Sequence, residues 1–310
     1  MLSSVWEDVK REYNYGNMIT RIIIINVSIF VLINLVRIIL WASNGGVLPG
    51  IYKDIVHFLS MSSDGWFILT HPWVIITSIF LHEGLWHILF NMLFLYWFGR
   101  IVGDFIGNHR ILPIYLLGGL IGNAFFFLSA NLFAYGGDAT IYALGASGGV
   151  MAIVVASGTL SPDYRMRLIL IGEVKLKYIV LVLVFLDLIG LASNVNTGGH
   201  FAHLGGAMFG WFFIHALRQG IDLSEGVNRI LRKLNPNIPS SPAKKPKQSK
   251  VPFMVFKNKE KTKDSAEGSH SSDSVDHQKK LDAILEKIKA SGYESLSQEE
   301  KEFLFQASKK

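Results

Sequence analysis

The apolar stretches Ile22 to Ala42, Leu85 to Val102, Ile111 to Phe133, Tyr178 to Ala192 and Phe201 to Leu217 limit this chain more than any other feature. Each is long enough, or nearly so, to cross a hydrocarbon core that takes roughly 20 helical residues. Backbone in lipid has no water to satisfy its N–H and C=O groups, so such stretches fold as helices that close their hydrogen bonds internally. A sixth stretch, Ser147 to Leu160, is shorter. If it reaches one interface it cannot start at the other, which places Ser147 below the surface. Irregular backbone at that depth needs protein or a water-filled cavity around it. The expected fold is an all-α membrane protein, a six-helix transmembrane bundle with a soluble C-terminal tail.

Charge divides the chain in two. Half of the 310 residues are apolar, and Lys and Arg are sparse before about residue 218 and dense after it. Cytoplasmic loops carry the Lys/Arg excess. Lys10, Arg11 and Arg21 precede the first span, Arg110 follows the second, Arg165, Arg167, Lys175 and Lys177 lie between the fourth and fifth, and Arg218 follows the sixth. Both termini are therefore expected in the cytoplasm, with Ser147 opening outward; the expected location of this multi-pass protein is a bacterial cytoplasmic membrane, which the charge pattern itself does not specify. The first span is too long for a signal peptide and is expected to stay attached. Domain boundaries follow: a cytoplasmic lead at 1–21, a six-span core at 22–218, a basic disordered linker at 219–276 and a helical hairpin at 277–310. Cysteine is absent, so disulfide and thiolate chemistry are excluded.

Polar residues inside apolar stretches carry the chemistry. Gly145-Ala146-Ser147-Gly148 places a serine among small residues where a loop enters a helix. Gly148, Ala152 and Ala156 then repeat at the four-residue spacing that lets helices pack closely in lipid, and Gly206 and Gly210 repeat it in the last span. These two helices are natural partners, with His203 one turn above Gly206 on the contacting face. A histidine within about 3 Å of a serine hydroxyl can take its proton. His200 is expected to face outer water. His82-Glu83-Gly84-Leu85-Trp86-His87 suggests a zinc site, but its histidines are five apart, about 140° round a helix, instead of the four that aim both at one metal. No metal is expected. His87 and Asn91 are four apart and share a face, as two donors of an oxyanion hole would; hydrogen bonds to neighbouring helices are the alternative. Gly118, Gly119, Gly122 and Asn123 are expected to serve packing. Asp187, the acid inside the fifth span, is functional by default, yet a structural partner remains equally open. A dyad without Asp187 is favoured. Ile51 to Met61 has the pattern of a short interfacial helix with Ile51, Ile55, Phe58 and Leu59 on one face, near the aromatic anchors Trp66, Phe67 and Trp73. Arg37 can snorkel to the outer interface.

The order His82, His87, Asn91 on span two, Gly145 to Gly148 opening span four, and Ala202-His203 with Gly206 and Gly210 on span six resembles the rhomboid intramembrane serine proteases. The resemblance covers roughly Arg21 to Arg218. It implies a six-helix core with Ser147 as nucleophile, His203 as general base, and His87, Asn91 and the Ser147 N–H as the oxyanion hole. His82 would be a structural hydrogen-bonding residue in a half-immersed first loop, and the fifth span around Val184 to Leu186 a lateral gate. Transmembrane proteins would be the substrates, with no cofactor. Two positions depart: Met151 stands where many members carry a tyrosine packed on the histidine, and the first-loop Trp-Arg pair is missing.

Residues Arg229 to Lys263 are basic and interrupted by Pro236, Pro239, Pro242 and Pro246, as in a disordered segment drawn to anionic lipid. No nucleic acid is expected at a membrane-tethered tail. Leu281, Ile284, Leu285 and Ile288 form a helical stripe, and Ser297-Gln298-Glu299-Glu300 is a capping box. The tail is expected to meet an unknown cytoplasmic partner or anionic lipid. Two other readings stand beside proteolysis: a proton-relaying transporter using the histidines and Asp187, which would show an internal repeat that the sequence lacks, and an inactive relative that binds membrane clients.

Overall fold

The computed structural model describes residues 2–133, 135–137, 139–168, 171–192, 195–234, 282–284, 286–287 and 296–307. The chain divides into two compact units, Met1–Ala243 and Lys244–Lys310. The first is mostly helical. Helix α1 (Leu2–Tyr15) leads into α2 (Met18–Ser43), whose start is capped by Asn17 accepting the Thr20 N–H. Helix α2 is apolar all round but buries few residues, Ile19, Ile22, Asn26 and Ile33 among them. Such a surface is stable only against lipid. Among the described residues three helical stretches, Met18–Ser43, Leu85–Ile106 and Asn108–Phe133, are long and apolar enough to cross a bilayer, so this is a membrane protein.

Between α2 and the second long helix lie α3 (Gly50–Leu59), strand β1 (Met61–Ser62), α4 (Gly65–Thr70) and α5 (Val74–Thr77). Helix α3 forms where the interfacial helix was expected, but its inward face is Tyr52 and Val56, packed with Ile33 and Leu81. Ile51 and Phe58 point outward. The aromatic anchors Trp66 and Trp73 are exposed, and the Trp73 indole N–H donates to the Phe58 carbonyl at 2.8 Å.

Helix α6 (Leu85–Ile106) turns through Gly107, at φ +90°, and a 3₁₀ turn at Asn108–Arg110 into α7 (Ile111–Phe133). Pro113 sits in the first turn of α7, where a helix needs no N–H donor. Strand β2 (Tyr142–Ala143) pairs antiparallel with β1, Met61 opposite Ala143, so the long loop is stitched to the segment entering α8 (Ser147–Leu160). Helix α8 is the centre: Gly148 to Gly158 are all buried, among α6, α7 and α10 (Thr197–Arg218). A methyl group at Gly206 would overlap the Gly148 carbonyl, and one at Gly210 the Ala152 carbonyl. Only glycine admits this approach. Gly122 is equally constrained, since a Cβ there would lie 2.8 Å from the Ala202 carbonyl oxygen.

Two features differ from the sequence expectation. Among the described residues two short strand pairs interrupt an otherwise helical fold, so all-α is too strict. The second is a hairpin, β3 (Arg165–Leu168) with β4 (Gly172–Lys175), in the basic loop after α8. The last long helix starts at Thr197, just before the Gly198-Gly199 pair that was expected to open the sixth span, and these glycines leave room for Phe126 and Asn196. The stretch expected as linker from 219 begins with α11 (Ser224–Leu234). Asp222 anchors it, accepting the Ser224 N–H at 3.0 Å and pairing with Arg110 at 2.6 Å, while Asn228 donates to the His109 carbonyl. Burial raises the Asp222 carboxyl, but the hydrogen bonds from Arg110 and Ser224 outweigh it and hold the group below the usual carboxylate range.

Residues 235–281, the rest of the expected linker and Leu281 of the expected stripe, lie outside the described residues, as do Leu285 and Ile288. In the second unit α12 (Gln298–Ala307) starts with the expected capping box: the Ser297 N–H donates to Glu300 at 2.7 Å and the Glu300 N–H to Ser297 Oγ at 3.3 Å. Lys287 pairs with Glu300 at 2.9 Å.

Candidate active site

The serine stands where α8 begins, and the loop before it is built to hold it there. Gly145 donates its N–H to the Ser78 carbonyl at 2.8 Å and adopts φ +129°, a conformation that disfavours any side chain. A Cβ at Gly145 would lie 2.9 Å from His87 Nε2 and 3.8 Å from Ser147 Oγ, so the imidazole and the hydroxyl flank the same point in space. Ser78 in turn accepts from Asn123 at 2.9 Å, which also donates to the Ile75 carbonyl. Asn123 thus pins the segment that supports Gly145, a more specific task than helix packing. As the first residues of a helix, Ser147 and Gly148 have backbone N–H groups without intrahelical acceptors, at the positive end of the helix dipole.

His82 is fully buried, and its hydrogen bonds define its tautomer. Nε2 accepts the Ala146 N–H at 3.2 Å and the Asn91 amide at 3.3 Å, so Nδ1 carries the hydrogen and donates to the Phe80 carbonyl. It ties the loop before α6 to the residue preceding the serine. Asn91 uses its amide nitrogen twice, toward His82 and toward the His87 carbonyl at 3.0 Å. His87 and Asn91 nevertheless both line the cavity over Ser147.

That cavity is about 710 Å³ and is bounded by α6, α7, α8, α9 (Leu176–Leu191) and α10. Ser147, Gly148, His87, Asn91 and His203 all face it. Among the described residues no hydrogen bond joins Ser147 Oγ to His203. His203 Nδ1 instead lies 2.8 Å from Asp187 Oδ1, and His200 Nδ1 lies 2.8 Å from the same oxygen. Asp187 is therefore in contact with His203, not remote from it, and His200 is turned inward to the same carboxylate. The three residues offer ligand atoms within 4.8 Å of one another, as a metal site would, but hydrogen bonds from the two imidazoles already satisfy the carboxylate oxygen that they share. The sequence did hold a signal for this cluster: His200 and His203 are three apart, hence on one helix face, and Asp187 is the single acid of its span. Met151 is buried with Val155 and Ala207 against Val180, Leu183 and Val184, so it joins α8 to both α9 and α10 and lines the cavity.

Residues 69–220 match the Rhomboid domain, and residues 265–310 match a family of unknown function (DUF6576). Among curated proteins, the presenilin-associated rhomboid-like protein A, mitochondrial, of Danio rerio is 30% identical over 141 residues, 45% of this chain and 36% of that protein. RHOMBOID-like protein 12, mitochondrial, of Arabidopsis thaliana is 33% identical over 43% of each chain. Rhomboid protease GluP of Bacillus subtilis (strain 168) is 30% identical over 47% of this chain and 26% of its own length. The chain thus spans less than half the length of these relatives. The matched segment runs from α4 to the end of α10 and contains the whole cavity, and with it the protein belongs to the rhomboid family.

Proposed function

We propose that this protein is an intramembrane serine endopeptidase that cuts transmembrane segments near the outer side of the bilayer. One observation carries the reading: Ser147, at the N-terminal end of a buried helix, shares an aqueous-sized cavity with His87, Asn91 and His203. One relative is named a rhomboid protease, which supports hydrolysis at the level of the family. On this reading α2, α6, α7, α8, α9 and α10 are the six spans, both termini lie in the cytoplasm, and α9 is the gate by which a substrate enters from lipid. The tail would contact anionic lipid or a cytoplasmic partner.

A substrate helix unwinds at its top turn, because a peptide bond locked in helical hydrogen bonds cannot be attacked. Ser147 Oγ adds to the carbonyl carbon while His203 takes the hydroxyl proton and then gives it to the leaving amine. Water next attacks the ester, His203 taking its proton, and Ser147 is regenerated. The oxyanion is held by the Ser147 N–H, His87 and Asn91, whose weaker 3.3 Å bond to His82 is the one it can exchange. The resting arrangement lacks a Ser147–His203 hydrogen bond, as hydrogen bonds of this kind often tighten only with substrate.

The same missing bond also favours a second reading, a client-binding relative without turnover. A fluorophosphonate probe separates them. It should label wild type and not Ser147→Ala, and that variant should lose cleavage of a single-span test substrate by a factor on the order of 10⁶ with unchanged melting. Equal labelling of the two proteins would sink the proteolytic reading.

A further inference from the structure

The family resemblance implies a serine–histidine pair acting alone, with an aromatic ring supporting the histidine. This chain has Met151 at that aromatic position, a side chain without a ring that packs on Ala207 of α10 and on Val180, Leu183 and Val184 of α9. His203 has two other supports. The His200 ring meets it edge to face, with centroids 5.9 Å apart, and Asp187 meets its Nδ1 at 2.8 Å. We infer that Asp187 is a positioning residue that holds the His203 ring by its Nδ1–H and leaves the Nε2 lone pair for Ser147, with His200 tethering the same carboxylate.

The chemistry is directional. An ionised carboxylate only accepts, so the nitrogen that meets it is the one carrying hydrogen. Holding the hydrogen on Nδ1 leaves Nε2 as the only basic nitrogen of the ring, and the ring's own geometry points Nε2 away from Asp187. His203 lines the cavity that contains Ser147. The carboxylate is itself held: a buried charge needs compensating hydrogen bonds, and His200 supplies the second one at 2.8 Å. Room for His200 comes from Gly190, one turn beyond Asp187, where any Cβ would overlap the His200 ring. Two histidines on one helix, a carboxylate on the next and a glycine cleared for one of the rings form a single arrangement around Asp187 Oδ1.

The contact could also serve only to dock α9 on α10, and the variants are chosen to tell the two apart. The inference rests on the proteolytic reading. Full-length protein in detergent is assayed on a single-span fluorogenic substrate and with a fluorophosphonate. Asp187→Asn should lower kcat by about 10²-fold with KM within about twofold. An amide at 187 can donate to Nδ1 and drive the hydrogen to Nε2, the wrong tautomer. Asp187→Ala should therefore lose less than Asp187→Asn, and Asp187→Glu should recover most of the rate. A docking role predicts the reverse pattern: Ala and Asn alike, both following the loss of melting temperature. As a readout free of turnover, ¹⁵N-histidine NMR should show a downfield Nδ1–H for His203 that disappears in Asp187→Ala. Labelling and kcat of Asp187→Asn within twofold of wild type would overturn this inference alone. A wild type that neither labels nor cleaves would overturn the proteolytic reading and this inference with it.

Discussion

Helix α10 meets two of its neighbours, α8 and α9, in different ways. Against α8 it packs backbone on backbone at two points, with Gly206 over Gly148 and Gly210 over Ala152. Against α9 it relies on a few side chains. Helix α9 buries Leu176 and Asp187 among its described residues, while Phe185 and Leu186 are 57% and 55% exposed. One contact cannot shift without breaking backbone proximity. The other combines a carboxylate between two imidazoles with the packing of Ala207 on Val180, Leu183 and Val184. On the proteolytic reading, the closer seam lies between the helices that carry Ser147 and His203, and the more exposed helix lies on the side of substrate entry. The looser helix also carries Asp187, so its position and that of His203 are linked.

The largest test of this contrast is Gly206→Val. A side chain at 206 collides with the Gly148 carbonyl, which cannot rotate away. Overpacking of this kind costs about 1–3 kcal/mol or more, and a shift of about 1 Å between reacting groups costs about 10²-fold in rate. Thermal melting and cleavage should fall together; a variant with normal kcat would show that the seam is not what sets the serine and histidine apart.

His87→Ala comes next and probes the third wall of the cavity. Removing one oxyanion donor should lower kcat by roughly 10²-fold with melting nearly unchanged, measured on the same substrate. If KM rises and kcat holds, His87 binds substrate and does not stabilise charge.

Phe185→Ala lies on the loose side. Because the ring is exposed, its loss should change stability by about 0.5 kcal/mol or less and turnover by a few-fold at most, in the direction of faster entry. A loss as large as that of Gly206→Val would erase the distinction between the two contacts.

The smallest effect is expected far from the cavity, at the anchor of α11. Asp222 has a depressed carboxyl because Arg110 and Ser224 outweigh its burial. Its contribution is full above the unfolded carboxylate value, about 3.9, and is lost as pH falls through the lower folded value. Asp222→Asn should cost about 1 kcal/mol at neutral pH and nothing at the acid end, as followed by melting temperature against pH. Equal losses at both ends would mean that shape, not charge, holds α11.

Particular residues show how much of this could be read from the chain. Ser147, His87, His203, Gly206 and Gly210 stood out because polar or glycine residues in apolar helical stretches recur at spacings that define a face. The pairing of α8 with α10 followed from the same periodicity. Asp187 was visible, but its partner was not, since nothing local tells which face of α9 turns toward α10. Asn123 was misjudged for a similar reason: its acceptors, Ile75 and Ser78, belong to a loop with no periodic pattern. The β1–β2 pairing joins residues some eighty positions apart, and strands of two residues leave no alternation to detect.

Composition and periodicity by themselves determined that the chain enters a membrane, which stretches are helical, and where along them a serine, histidines and small residues fall. Hydrophobic transfer and helical geometry are local, so a single sequence is enough to express them. Tertiary structure alone decided which imidazole nitrogen meets Asp187, that His200 turns inward, and that a two-residue strand pair stitches the loop to the entry of α8. These depend on how separate helices rotate about their own axes when packed, and that rotation minimises the free energy of the whole bundle, which no window of sequence contains.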